Sequence, residues 1–300
     1  MIWQLIRTRR RALIALGLAW TLTATGTAAP ASAGDVFLAK PLATDATDSQ
    51  LINPWGISAS GTSPFWISDN GTGVSTLYAV DPNTNVATQQ ALSVAIPGDG
   101  SVTGQVFNSG TGFNNDRFLF VSEDGTISGW RGAQGTTAEV LQLPDANNIY
   151  KGVTLETVGG HSYLLSANFQ TGKIDVLKGD AGAPDLAGRF TDPGIPDKFA
   201  PFNISKLGNT IYVTYALKDG KDDKPGSGNG FVSAFDVNGN FISRIGSKGM
   251  LNSPWGLAIA PSGFGSLAAW TLQPGRDRRP FKSNGIECHK GEPTEIEQYD

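Results

Sequence analysis

The residues best suited to chemistry in this chain come in short acidic and amide groups: Asp69-Asn70 before Gly71, Glu123-Asp124 before Gly125, and Asn168 before a polar turn. A second series consists of single amides and one cation, Asn53, Lys151, Asn203 and Asn252. Carboxylates and amides that converge can coordinate a hard cation or hydrogen-bond a polyhydroxy ligand. The same residue types serve tight turns, where their side chains cap local N–H groups, so each carries a turn role beside a binding role. Histidine chemistry has little to work with. His161, beside Gly159-Gly160, and His289 are the two histidines of the sequence, too few for a multi-histidine metal site and poorly placed for a nucleophilic triad. Asp219, Asp222 and Asp223 lie in the loop 218–230, but their spacing does not match a calcium-binding EF-hand and three lysines oppose their charge, so a solvated surface loop is expected there.

What must position these residues is a repeat. Asn53-Pro54-Trp55-Gly56-Ile57 returns as Ser253-Pro254-Trp255-Gly256-Leu257, with weaker copies between them. The marker positions Gly56, Gly104, Gly152, Asn203 and Gly256 are separated by 48, 48, 51 and 53 residues. After each marker come a short β-type run, a second apolar run (65–68, 118–121, 163–166, 211–214), a polar turn and a third run (74–80, 126–130, 173–177, 231–237). A more weakly marked fourth run closes each unit (88–96, 139–143, 188–191, 241–245). Asn-Gly and Asp-Gly in the turns are hairpin signals. Four strands per unit of about 50 residues predict an all-β propeller of four-stranded blades, with about four complete blades and a partial fifth. No segment has the 3.6-residue periodicity that helical crossovers need, which excludes a parallel β/α fold. A β-sandwich would leave the even spacing of five opening motifs without a cause.

Strand alternation puts the opening motifs and the second-to-third turns on one face of the disc. Asn53, Asp69, Asn70, Glu123, Asp124, Lys151, Asn168, Asn203 and Asn252 are therefore the expected ligand-binding residues at one mouth of the central channel. Trp55 and Trp255 are expected as core wedges rather than as platforms for sugar stacking.

Residues 1–33 read as an export signal: Arg7, Arg9, Arg10 and Arg11 precede a largely apolar run, and Ala31-Ser32-Ala33 is a small-residue cleavage site. Sec and twin-arginine export both fit, and a retained membrane helix is the weaker alternative because the apolar run is interrupted by Thr21, Thr23, Thr25 and Gly26. Without that segment the chain has 19 Lys and Arg against 27 Asp and Glu, a formal charge near −8, which argues against nucleic acid or anionic lipid as a partner. Cys288 is the lone cysteine, so stability must come from the core rather than from disulfides.

Several motifs in the same order carry a family resemblance: Asn-Pro-Trp-Gly at 53–56, F-W-I-S-D-N-G-T-G-V-S-T at 65–76, E-D-G-T-I-S-G-W at 123–130, Tyr150-Lys151-Gly152, Ala200-Pro201-Phe202-Asn203 and N-S-P-W-G-L-A-I-A-P-S-G-F-G at 252–265. Together the stretch from about Asp35 to Leu267 resembles an uncharacterised family of exported bacterial propellers related to NHL repeats. The resemblance implies six blades and brings no catalytic residues with it. From about Ala268 the sequence departs from that pattern, with Pro274, Pro280 and a basic cluster where blade strands should be. The organisation expected is a leader at 1–33, a propeller at 34–267 and an aberrant, disordered tail at 268–300, the product of truncation or frame shift or else a natural divergence. A strand near Val36-Phe37-Leu38, which would close a six-bladed ring, is expected to lack its partner.

The function expected is that of an exported module, secreted or periplasmic, binding a small polar ligand, a glycan or a protein, with no stable membrane insertion after signal cleavage. The alternative is a metal-dependent hydrolase or lactonase using the acidic channel mouth, by analogy of fold. No motif requires a cofactor, and a divalent cation such as Ca2+ is the candidate if one is used.

Overall fold

The computed structural model describes residues 2–7, 37–259, 271–272, 286–288 and 296–298. The described chain is nearly all β, with two single-turn 3-10 segments at Phe113–Asn115 and Gly132–Gln134. Strand β1 (Ile2–Arg7), within the segment expected as a leader, pairs antiparallel with β2 (Phe37–Ala43). Four antiparallel meanders follow. The first is β3 (Pro54–Ser58), β4 (Phe65–Asp69), β5 (Val74–Asp81) and β6 (Val86–Ala95); the second is β7 (Val102–Phe107), β8 (Phe118–Ser122), β9 (Ile127–Trp130) and β10 (Glu139–Gln142). The third has three strands, β11 (Tyr150–Val158), β12 (His161–Asn168) and β13 (Lys173–Lys178). The fourth runs through β14 (Phe199–Leu207), β15 (Thr210–Asp219), the two-residue β16 (Asp222–Asp223) paired to the end of β15, then β17 (Gly230–Phe235) and β18 (Phe241–Ser247).

The run 188–191, expected as the fourth strand of the third blade, leaves that blade. The Gly188 and Phe190 N–H groups donate to the Asn238 and Gly239 carbonyls of the next blade's outer turn, at 2.8 and 2.9 Å. Prolines at 184, 193 and 196 supply no N–H for a ladder on the third blade. Asp192 then pins the segment to the fourth blade, accepting from Ser233 Oγ at 2.6 Å and from Arg244 Nε and Nη2 at 2.8 and 2.6 Å.

The sheets stack side by side. Trp66 and Leu77 of the first pack on Phe118 and Phe120 of the second, whose opposite face gives Leu119, Val121 and Ile127 to Tyr150, Val153 and Leu164 of the third. Leu165 and Ala167 then meet Ile204, Val213 and Phe231 of the fourth. Being covered on both faces explains why all five residues of β8 are buried and why its sequence shows no polar alternation. The innermost strands β3, β7, β11 and β14 pack in succession, and this close approach is the physical reason for the glycine markers. A Cβ on Gly56 would lie 2.7 Å from the Thr103 carbonyl oxygen, one on Gly104 2.9 Å from the Val153 nitrogen, and one on Gly152 2.0 Å from Asn203 Oδ1. At the centre Trp55, Phe169, Phe202 and Trp255 share one cluster, which joins the first, third and fourth sheets to the fifth opening motif. Sheets that neighbour in sequence order and converge on a common axis make a β-propeller, with four blades and the start of a fifth among the described residues.

Residues 271–272, 286–288 and 296–298 form a small separate antiparallel sheet of three strands. The rest of the tail lies outside the described residues, as does the expected leader apart from the backbone of β1. Among the described residues no helix is long and apolar enough to cross a membrane.

Candidate functional site

Each innermost strand carries a register shift just after its first residues: between Pro54 and Ile57, Val102 and Gln105, Tyr150 and Gly152, and Pro201 and Asn203. A bulge of this kind re-aims a side chain. The residues placed in it, immediately before each marker, are Trp55, Thr103, Lys151 and Phe202, and Trp255 holds the same position in the fifth motif. Four of these five meet at the axis. The Trp55 ring stands edge-on to Trp255 at 5.7 Å and to Phe202 at 6.1 Å, and Trp255 Nε1 donates to the Lys151 carbonyl at 2.9 Å. The tryptophans thus fill the axis rather than wedge between adjacent blades.

Lys151 is the exception in chemistry: its side chain is 1 % exposed. Its Nζ lies 5.4 Å from the Trp55 ring centre and 5.8 Å from that of Phe169. It donates to Glu123 Oε1, and to Asp222 Oδ1 at 3.1 Å. Taking an ammonium out of water costs several kcal/mol, which the paired carboxylates and the ring faces offset. Glu123 Oε2 in turn accepts from Asn70 Nδ2 at 3.5 Å, and Asn70 Oδ1 accepts from Asn53 Nδ2 at 2.8 Å. Asn53, Asn70, Glu123, Lys151 and Asp222 therefore form a continuous polar chain drawn from four blades. Asn53 sits before Pro54 with φ 49°, and Ser253 repeats that conformation before Pro254 with φ 46°. Asparagine tolerates the left-handed region better than most residues, which suits it to this position.

The other expected site residues bond elsewhere and do not join this chain of side chains. Asp69, fully buried at the end of β4, accepts from the Thr76 N–H at 3.2 Å and its Oγ1 at 2.7 Å, while its Oδ1 has no hydrogen-bond partner among the described residues. Burial pushes its carboxyl up to about 7, against the lowering effect of the Thr76 bonds. Asp124 caps its own turn through the Thr126 N–H and holds the Asp99 N–H, both at 2.9 Å. Asn168 accepts from the amides of Ile149, Gln170 and Thr171, and donates to Asn148 and to Asp175. Asn203 links Trp255 O to the Ile204 N–H. Asn252 accepts from the Gly226 N–H at 2.6 Å and so tethers the 218–230 loop, the segment that carries Asp222 to Lys151.

Asp222 is the member that sequence reasoning placed elsewhere. Its loop is rich in charge and glycine, which is what a solvated loop looks like, and the partner that draws it in is 71 residues away. The position just before each marker is a signal that would have singled out Lys151 together with Trp55, Phe202 and Trp255. Among the described residues no group of three or more His, Cys, Asp or Glu side chains is placed to hold a metal ion.

No known family model matches the chain. It is 32 % identical over 234 residues to the uncharacterised protein R648 of Acanthamoeba polyphaga mimivirus, an alignment covering 72 % of this chain and 57 % of that protein. It is 29 % identical over 239 residues to uncharacterised protein L690 of the same virus, covering 73 % of this chain and 62 % of that one. The chain thus spans less than two thirds of the length of either relative. Among solved structures it is similar to the periplasmic gluconolactonase PpgL of Pseudomonas aeruginosa, with TM-score 0.48 and 15 % identity over 83 % of this chain and 71 % of that one. It is also similar to a streptogramin B lyase structure, with TM-score 0.39 and 12 % identity over 83 % of each chain.

Proposed function

We propose that this chain is an exported propeller that binds a small polar ligand or glycan at the mouth lined by Asn53, Asn70, Glu123, Lys151 and Asp222. The observation that carries the reading is the polar chain itself: five side chains from four blades are linked end to end, although a structural role in a turn would ask a turn residue to bond only its own backbone. The exposed Asn53 amide and the half-buried Asn70 amide have hydrogen-bonding capacity beyond the contacts they make to each other and to Glu123. The setting outside the cytoplasm rests on the Arg-rich start, on Ala31-Ser32-Ala33 and on the resemblance to exported six-bladed propellers related to NHL repeats.

A metal-dependent hydrolase or lactonase is the second reading. It is weaker because the positive charge between Glu123 and Asp222 is already supplied by the Lys151 ammonium, at the place where a divalent cation would otherwise balance them. Isothermal titration of the purified protein against a panel of neutral and charged monosaccharides and short oligosaccharides tests the proposal. Binding that weakens at least tenfold in Asn70→Ala, with folding unchanged by circular dichroism, supports it. Stoichiometric Ca2+ or Zn2+ retained through purification, together with lactone hydrolysis, would replace it with the enzyme reading.

A further inference from the structure

We propose that the chain has a second ligand site, a cleft between the first and second blades that takes a small aromatic carboxylate with Arg117 as its anchor. The cleft is separate from the mouth described above. It opens on the other face of the disc, where the β3–β4 connection meets the end of β7, the start of β8 and the end of β9.

The cleft has a volume of about 580 Å3, within the range of about 300–1,000 Å3 usual for small-molecule sites. Its floor is the pair Trp66 and Phe118, with ring centres 4.1 Å apart and planes 19° from parallel. Trp130 stands 4.8 Å from Trp66, and Phe107 5.4 Å from Phe118, and both of these wall residues are half-buried. Aromatic surface therefore stays open inside a concavity, although the two blades are packed against each other around it. A flat ring can cover these faces by stacking or edge-on contact, the arrangements that ring quadrupoles favour, whereas an alkyl chain gains area alone.

Most polar groups around the cleft are engaged locally. Ser60 Oγ accepts from the Thr62 and Ser63 N–H groups, and Ser63 Oγ accepts from the Ser60 N–H and donates to the Pro64 carbonyl, so the connection closes on itself. Trp130 Nε1 donates to the Gly135 carbonyl at 2.8 Å, which leaves the cleft its ring rather than its donor. Arg117 differs. It is the charged residue of the described lining, it is exposed, and its Nη1 reaches the Asn108 and Ser109 carbonyls at 3.5 and 3.3 Å. Among the described residues its Nε and Nη2 donate to nothing and no carboxylate pairs with it, whereas Arg131 and Arg244 are both carboxylate-bound. A planar fork with free donors matches a carboxylate in two parallel hydrogen bonds. A ring seated in the cleft with an acid group at its edge meets both demands at once.

Isothermal titration of full-length protein with 2-naphthoate and its uncharged analogue 2-naphthamide, at low and moderate salt, tests the proposal. Wild-type protein should bind naphthoate about fivefold more tightly than naphthamide at low salt, the upper range for an exposed ion pair, and the preference should shrink as salt rises. Arg117→Met should bring the ratio of the two affinities close to one. Arg117→Lys should keep part of the preference, since it retains the charge and loses the fork. Leu92→Trp, which fills the cleft from β6, should abolish binding of both ligands. Circular dichroism checks that each variant is folded; if Leu92→Trp is not, the Arg117 series still decides, because a preference that depends on residue 117 locates the ligand at this cleft. Equal binding of the two ligands by wild-type protein overturns the anionic class, and octanoate binding as tightly as naphthoate overturns the aromatic one. Binding that survives Leu92→Trp, or no binding of either naphthalene at millimolar concentration, overturns the site itself.

Discussion

Replacing Asp69 by asparagine should remove a specific part of the protein's pH dependence. Asp69 is fully buried, and its carboxyl rises from an ordinary 3.8 to about 7, burial being the largest cause. Between those two values the folded protein holds a proton that the unfolded chain has released. Since stability changes with pH as 2.303RT times the protons bound unfolded minus those bound folded, it falls as pH rises through this window. The whole window is worth roughly 4 kcal/mol, and the part between pH 5 and pH 8 about 3 kcal/mol, at 1.36 kcal/mol per pH decade. An amide at position 69 keeps an acceptor for Thr76 and is uncharged throughout. Its N–H donors would occupy the place of Oδ1, which lacks a partner, and an unmet donor there costs about 1–3 kcal/mol. Urea denaturation followed by tryptophan fluorescence at pH 5 and pH 8 measures both proteins. Asp69→Asn should be the less stable at pH 5 and lose about 3 kcal/mol less than wild type on going to pH 8. Asp116, pushed up to about 6 by burial, titrates in both proteins and cancels in the comparison. Parallel pH curves for the two proteins would show that Asp69 reaches water and that its carboxyl is not held neutral by burial.

Two further substitutions test the scaffold. Gly104→Ala puts a methyl 2.9 Å from the Val153 backbone nitrogen and 3.0 Å from Gly152, where neither strand can retreat without moving a blade, and should destabilise by about 1–3 kcal/mol; Gly132→Ala, with nothing within 4 Å, is the matched control and should be near neutral in the same denaturation assay. Asp192→Ala strands Arg244 and Ser233 and should cost about 3 kcal/mol. Its pH signature is opposite to that of Asp69. Burial alone would raise the Asp192 carboxyl, but hydrogen bonds from Arg244, Ser233 and the Gly194 amide outweigh it and hold the group below 3.8. The stability it contributes is therefore present above about pH 4 and lost as pH falls through the folded value, a loss that Asp192→Ala should not show in acid denaturation.

The blades were legible because two physical demands leave traces in sequence. Inner strands that nearly touch require Gly56, Gly104 and Gly152, and hairpins require residues such as Gly73 at φ 70° and Gly125 at φ 85°. The fourth strand of the third blade was not legible in the same way, because its absence follows from long-range bonds. The 188–194 segment is held by Asn238, Gly239, Ser233 and Arg244, none of which its own sequence announces. The position of β2 against β1 is likewise a pairing across 30 or more residues, with no local mark to disclose it.

The site was half legible, and the division has a geometric cause. Asp69 and Asn168 are the last residues of second strands, so their side chains still lie within the blade and are drawn onto its amides. Asn70, Glu123 and Phe169 come one residue later, where the chain has left the ladder, and all three reach the axial assembly. A single step along the chain therefore separates a turn cap from a residue of the axial assembly, a distinction that residue type cannot reveal because Asp and Asn serve both. On the opening strands the bulge performs the same selection, sending the residue before the marker inward. Combining the two positions gives Trp55, Lys151 and Phe202 from the bulges, Trp255 from the matching position of the fifth motif, and Asn70, Glu123 and Phe169 from the turns. Most of that set is aromatic and closes the axis. Lys151 and Glu123 are its charged members, paired in a ring otherwise built for packing.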